Sequence, residues 1–265
     1  MNKGLKTLLA GAAWLTLAAH KPAGATPAPA PVTLAVLAQE SIPPKWVIRN
    51  GRMDGLCPDI LAAIEKIEPR LHFAGYDDYR SLPVIEQALE SGAVGAACAL
   101  LDTAQRRKIA RIVGQPLYSV RHRLAAAVGE KATPRSFDDL LKLKPLITTP
   151  RGASYSQQLR VLGLEVDDST GDNLVNLKKV AAGHGRFFYM NELTMLWLLR
   201  APPLKDQIRL LPGVLKEEPI YFWMSKQADP ATVRLVDRAI ERLHANGELA
   251  RIYQRWAGSP RAAND

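Results

Sequence analysis

The chain has 265 residues, 47% of them hydrophobic and 23% charged, with a formal net charge of +9 and two cysteines. That length is enough for one large domain or two lobes. The positive excess favours anionic partners, but the basic residues are spread along the chain with no aromatic-interleaved basic stripe, which argues against nucleic acid. Neither cysteine belongs to a C-x-x-C pair and the five histidines lack metal-ligand spacing, so no metal or cofactor is indicated.

Lys3 and Lys6 form a positive n-region, residues 7–19 an apolar h-region of 13 residues, and Ala23-Gly24-Ala25 an A-x-A-like cleavage site. Together they read as a signal peptide over 1–25. The h-region is short for a membrane span, no later run approaches about 20 apolar residues, and no cysteine follows to carry a lipid anchor. The expectation is a soluble periplasmic protein. Cleavage after Ala25 leaves 240 of the 265 residues and, with Lys3, Lys6 and Lys21 removed, a net charge of +6. In an oxidising compartment Cys57 and Cys98 form either a single disulfide or two buried free thiols.

Residues 26–31 continue an Ala/Pro-rich leader. A strand is expected over 32–37, then a loop punctuated by Pro43-Pro44 and a hairpin around Asn50-Gly51. Pro58 opens a helix with Ile60, Leu61, Ile64 and Ile67 on one face. A short strand over 71–74 precedes a second helix marked by Leu82, Ile85 and Leu89 and stopped at Ser91-Gly92. The apolar run over 94–100 has strand length and no helical period, and Thr103 then caps a short helical turn that carries Arg106. An arginine just past the end of a buried strand suits an anion, because its fork matches a carboxylate and ligands sit beyond the carboxyl ends of strands in open α/β sheets. A solvated basic turn, with Arg107, Lys108 and Arg111 beside it, is the alternative reading.

The pattern restarts in the second half. Ser136 caps a helix over 137–141, a strand covers 146–149, and Arg151-Gly152-Ala153-Ser154 leads into a helix through 162. A helix over 173–182, a strand over 187–190 and a helix from Asn191 through 199 follow. Extended segments over 121–128 and 219–224 bracket this half, as two crossings between lobes would. An amphipathic helix carrying Val233, Val236, Ile240 and Leu243, a break at Gly247, a last helix to Trp256 and a frayed tail complete the chain. Strands alternating with helices mean βαβ units and a mostly parallel sheet.

This order resembles the periplasmic solute-binding proteins of family 3, the polar-amino-acid receptors of ABC importers, over about 32–258. The carriers are Ile42-Pro43-Pro44, then Gly55-Leu56-Cys57-Pro58-Asp59-Ile60 for the family's G-F-x-x-D-L, Leu89-Glu90-Ser91-Gly92, and Thr103-Ala104-Gln105-Arg106 for T-P-E-R. Later come Ser136-Phe137-Asp138-Asp139-Leu140, Arg151-Gly152-Ala153-Ser154, and a C-terminal stretch from Asn246-Gly247 to Arg255-Trp256 like G-x-x-x-x-I-x-x-K-W. The resemblance implies an α/β, two-lobe Venus-flytrap of type II, each lobe a mostly parallel sheet flanked by helices. Lobe 1 would take 32–120 and 219–258, lobe 2 121–218, with a flexible tail over 259–265. In this mapping Cys57 and Cys98 lie at neighbouring strand ends, within reach of a bond.

By the same resemblance Arg106 matches the arginine that clamps an α-carboxylate, and Ala153 and Ser154 match a helix start whose N–H groups assist it. Asn191 stands where the family has an acid for the α-ammonium, and Ala99 and Leu101 stand where it has hydroxyls. Gly95 replaces a usual aspartate. A free ammonium would lack its charge partner here, unless Glu40 serves, and an unpaired buried charge is costly. The expected ligand is therefore a carboxylate or related anion without an essential amino group. The candidate ligand set is Arg106, Thr103, Ser154, Ala153, Asn191, Glu40, Trp46 and Tyr118. The expected role is non-enzymatic delivery of a small anionic solute, by a monomer, to an inner-membrane ABC permease. A sensory or accessory binding protein with a signalling partner is the second reading. An enzyme like the cyclohexadienyl dehydratases is the third, disfavoured because Tyr155 stands where such chemistry needs a carboxylic acid.

Overall fold

The computed structural model describes residues 1, 30–200, 202 and 204–258. The signal peptide expected over 1–25 lies outside the described residues but for Met1, as do most of the leader and the tail over 259–265. Local sequence explains most of the element boundaries. After β1 (Val32–Ala35) and the short β2 (Ala38–Gln39), β3 (Val47–Arg49) and β4 (Arg52–Asp54) form a hairpin. Its Asn50-Gly51 turn has φ of 51° and 70°, the two positive values that a type I′ turn demands. α1 (Leu56–Ile67) starts two residues ahead of the Pro58 expected from the sequence. Pro58 sits instead inside the first turn, where a missing N–H leaves no helical bond unmade.

β5 (Leu71–Ala74), β6 (Tyr79–Arg80), α2 (Leu82–Ser91) and β7 (Ala96–Leu101) follow, α2 ending on Gly92 at φ 74°. Thr103 caps α3 (Ala104–Ile109), its hydroxyl accepting from the Arg106 N–H at 3.0 Å. β8 (Ala110–Ala127) then runs for 18 residues. The next stretch holds α4 (Phe137–Leu143), β9 (Leu146–Thr148), α5 (Ser154–Val161), β10 (Glu165–Asp167), α6 (Asn173–Ala181), β11 (Phe187–Asn191), α7 (Glu192–Leu198) and α8 (Leu204–Gln207). A second 18-residue strand, β12 (Ile208–Ser225), leads back to α9 (Pro230–Ala245) and α10 (Glu248–Gly258).

The two long strands join the halves. They pair antiparallel inside one six-stranded sheet of order β10-β9-β11-β8-β12-β7. Parallel pairs lie in both halves: β1 with β5 and the Val36–Ala96 bridge in one, β9 with β10 and β11 in the other. The antiparallel pairs are those with the crossing strands and the β3–β4 hairpin. Both crossings are longer than the 121–128 and 219–224 expected, because Gly114, Pro116, Pro212 and Gly213 interrupt the strand pattern. Each interruption falls in a register irregularity of the β8–β12 ladder, where an unpaired N–H is tolerated. β2, β6 and β10, two or three residues each, are too short to carry a period and were not legible.

Separate apolar cores mark the two lobes of this type II binding-protein fold. One gathers Trp46, Leu56, Ile60, Ile64 and Phe73 with Phe222, Val236 and Ile240. The others gather Leu124, Ile147, Phe187 and Tyr189, and Ala125, Leu177, Phe188 and Met195. The aromatic run Phe187-Phe188-Tyr189 is thus core, as its buried-strand pattern suggests. Among the described residues no helix is long and apolar enough to cross a membrane.

Cys57 and Cys98 form a disulfide that ties the first turn of α1 to β7. Their sequence separation is 41 residues. For a loop of that size the chain-entropy model gives about 4 kcal/mol of stabilisation. The Cys57→Ser/Cys98→Ser variant is expected to lose about that much in urea denaturation, and wild type under reducing conditions should fall to the same midpoint. Equal stability of oxidised wild type and variant would contradict the bond's role.

Candidate ligand-binding site

A cavity of about 250 Å³ opens where the two lobes meet. Its lobe 1 wall is the carboxyl end of β7 (Ala99, Leu100, Leu101), the loop after β2, and the start of α2. Its opposite wall is the start of α5, the first residues of α6 and the β11–α7 junction. Strand ends and helix starts converge here because both lobes run their parallel strands toward the cleft, the geometry that makes such edges binding sites.

Arg106 lines this cavity and is only 3% exposed. Its guanidinium is held on several sides. Nε and Nη2 donate to Glu86 Oε1 of α2 at 3.0 and 2.6 Å, Nη1 donates to the Leu101 carbonyl, and the group lies over the Trp223 ring at 5.8 Å. Of five N–H bonds, one on each terminal nitrogen is left for a ligand. Glu86, which has no distinguishing mark in the sequence, therefore compensates the charge of Arg106 and orients it.

Ala153 and Ser154 also line the cavity. Ala153 is the N-cap of α5 and provides no side-chain cap bond, so the first N–H groups of that helix have no side-chain acceptor. Asn191 lines the cavity but its carboxamide oxygen is committed to the Thr194 N–H at 2.9 Å, capping α7. Glu40 stands exposed at the rim. Tyr118 contributes one face and stacks on Tyr253, with ring centroids 5.2 Å apart; burial raises its phenol pKa well above the ordinary value.

Two expected ligand residues are elsewhere. Trp46 is buried in the lobe 1 core, 5.7 Å from the Tyr76 ring, and does not line the cavity. The hydrophobic gain from enclosing an indole favours that packing over an open stacking role. Thr103 likewise is outside the lining and spends its hydroxyl on the α3 cap.

Lys45, Asn173 and His122 are among the cavity residues that were not foreseen. Lys45 is 4% exposed, and its ammonium donates to Gln39 Oε1 at 2.7 Å and to the Ala99 carbonyl at 2.8 Å. Burial, with the nearby charge of Arg106, holds its pKa well below the usual lysine value. A charge inside the apolar run from Pro43 to Ile48 was the available signal. Asn173, first residue of α6, reaches across to the Ser41 carbonyl, and its own Oδ1 is buried without a partner. His122 of β8 is 1% exposed, packed edge-on against Tyr155 and Tyr189 at 5.1 and 5.5 Å. Its pKa is lowered to about 4 by burial and by Lys216. Glu218, 3.6 Å from Nδ1, does not offset this, since it sits 2.6 Å from Lys216 and makes no hydrogen bond to the ring. Among the described residues no group of three or more His, Cys, Asp or Glu is arranged to hold a metal. The arrangement offers cationic donors and helix N–H groups to an anion in an apolar enclosure.

Comparisons with known proteins agree with this architecture. The profile of "Bacterial extracellular solute-binding proteins, family 3" matches residues 34–259. An L-glutamate/L-aspartate-binding protein of Pseudomonas aeruginosa is 25% identical over 182 residues, covering 65% of this chain; the match spans 57% of that protein's length. An ancestral arginine-binding protein bound to glutamine superposes with a TM-score of 0.70 at 18% identity, over 86% of this chain and 98% of its own. A histidine kinase sensor domain with similarity to periplasmic binding proteins gives 0.73 at 17% identity, over 86% and 97%.

His122 makes stability fall with acid. Its folded pKa of about 4 lies below the 6.5 of an unperturbed side chain, so the unfolded chain binds more protons between those values. Stability contributed by the neutral ring is present above about pH 6.5 and is lost as pH falls toward 4, by about 3 kcal/mol in all. His122→Phe is expected to show a smaller drop in melting temperature between pH 7 and 4.5 than wild type. Parallel pH profiles for the two proteins would refute the assignment.

Proposed function

We propose, from the premise that this chain belongs to the bacterial extracellular solute-binding proteins of family 3, that it captures a small carboxylate-bearing anion in the inter-lobe cavity. The observation that carries the reading is the pairing of Arg106 with the N-terminus of α5, which has no side-chain cap, across one cavity. Opposed helix N–H groups and a guanidinium fork are a carboxylate site by charge and by geometry. The neutral, already committed Asn191 supports a ligand without an essential α-ammonium, as does the lack of a buried acid at that position. The Pseudomonas relative, named for two acidic amino acids, is consistent with an anionic ligand.

In this reading the protein works in the periplasm after loss of residues 1–25, is not an enzyme, and hands its solute to an ABC-type permease. Lobe 1 comprises 32–120 and 219–258 and lobe 2 comprises 121–218, with closure by bending of β8 and β12 where they cross between the lobes. The resemblance to a sensor domain supports a second reading, in which the closed form signals to a partner. Uptake of labelled solute by cells with and without the protein separates the two.

A thermal-shift screen of refolded protein against amino acids and their deaminated counterparts tests the ligand class. Carboxylates lacking the amino group should raise the melting temperature, with about 2.7 kcal/mol of stabilisation at a hundred times Kd, and Arg106→Gln should abolish the shift. Stabilisation by ordinary amino acids alone would overturn the class assignment.

A further inference from the structure

We propose that Lys45 is a second anion-binding group of the cleft, and that together with Arg106 it selects a solute bearing two carboxylates. The inference rests on the carboxylate reading above and goes further by naming the residue and the charge of the ligand. Its basis is the difference in how the two buried cations are compensated. Arg106 has the Glu86 carboxylate 2.6 Å away. Lys45, equally buried, donates only to two neutral oxygens, Gln39 Oε1 and the Ala99 carbonyl, and among the described residues forms no ion pair. One of its three N–H bonds remains unused at a cavity wall.

A buried cation without a counter-charge is unfavourable, and a lysine serving only as packing would be replaced by methionine without loss. The fold nevertheless holds Lys45 firmly. Its N–H donates to the Ile42 carbonyl, its carbonyl accepts from the Cys57 N–H, and the Pro44 carbonyl accepts from the Leu56 N–H, each at 3.0 Å. The Cys57–Cys98 disulfide then ties this turn to β7, whose Ala99, at φ 60°, presents the carbonyl that receives the ammonium. Such over-determination of a costly charge beside a cavity is what a built anion site requires.

The charged groups around the ammonium leave its need unmet. Arg106 repels it, and Glu86 is spent on Arg106. Glu40 sits exposed at the rim, and Arg151 on the opposite wall is another cation. His122, across the cavity, is neutral near pH 7. One carboxylate can satisfy the two free N–H bonds of Arg106 with α5, and a second can satisfy Lys45. A zwitterionic amino acid would instead bring an ammonium toward this pair. Burial and Arg106 hold the Lys45 pKa well below the usual lysine value and an arriving anion should raise it, so over that interval binding takes up protons and weakens as pH rises.

Isothermal titration of wild type, Lys45→Met and Lys45→Arg with succinate, glutarate and butyrate tests this, in buffers of differing ionisation enthalpy. Wild type should bind one of the diacids at least about tenfold more tightly than butyrate. Lys45→Met should lose about 30-fold for that diacid while leaving butyrate nearly unchanged. Lys45→Arg should retain the preference, and Lys45→Gln carries the same test as methionine if the latter does not fold. Proton uptake should accompany diacid binding to wild type and vanish in the neutral variants. Diacid affinity unchanged by loss of the charge overturns the role of Lys45 and leaves the carboxylate reading standing, as does equal binding of butyrate and the diacids. Failure of all three acids to bind wild type overturns both.

Discussion

The antiparallel ladder between β8 and β12 is the constraint on which the molecule depends. Each strand belongs to both lobes, so every other element is positioned by reference to this pair. β7 adds to one flank of the ladder and β11 to the other. Consequently the end of β7, with Arg106 just beyond it, faces the β11–α7 junction and the start of α5 across one gap. The proline and glycine interruptions fall on either side of the crossing, whose pairs from Lys216–His122 to Ile220–Tyr118 keep an unbroken register.

Compensation of charge governs the cleft. A buried arginine would be prohibitively unfavourable alone, and Glu86 from the neighbouring helix makes it tolerable while restricting which N–H bonds face the cavity. Among the described residues Lys45 has no such partner; its ammonium donates to neutral acceptors, and burial with Arg106 holds its pKa well below the usual lysine value. Opposite them, the Asn191 carboxamide oxygen caps α7. The cleft is thus unbalanced in charge: Arg106 and Lys45 face Arg151 and the start of α5, and among the described residues the acid in its lining is Glu40 at the rim.

The fold was largely legible because its signals are local. Capping residues such as Ser136 and Thr103, the Asn50-Gly51 turn, and the apolar face of α9 each act within a few residues of chain. The motif order then tied those elements to a family. Arg106, Ser154, Ala153, Asn191, Glu40 and Tyr118 do line one cavity, which chain order alone could suggest through strand ends and helix starts. Trp46 and Thr103 were harder, since a residue near a site by sequence can turn its side chain inward to a core or a cap. His122, Asn173 and Glu86 carry no local signature and matter through partners 20 or more residues away, while Lys45 shows only as a charge in an apolar run until the fold sets it against the Ala99 carbonyl.

What the sequence by itself determined was the alternation of strands and helices, the family, and the arginine past the third long apolar run. These follow from periodicity, capping and motif spacing, all properties of contiguous chain. Only the tertiary structure decided that Cys57 and Cys98 meet, that Glu86 neutralises Arg106, and that Lys45 shares its cavity with no counter-charge among the described residues. Coulombic and desolvation energies depend on distances through space and on burial, and neither can be read from the order of residues until the chain is folded.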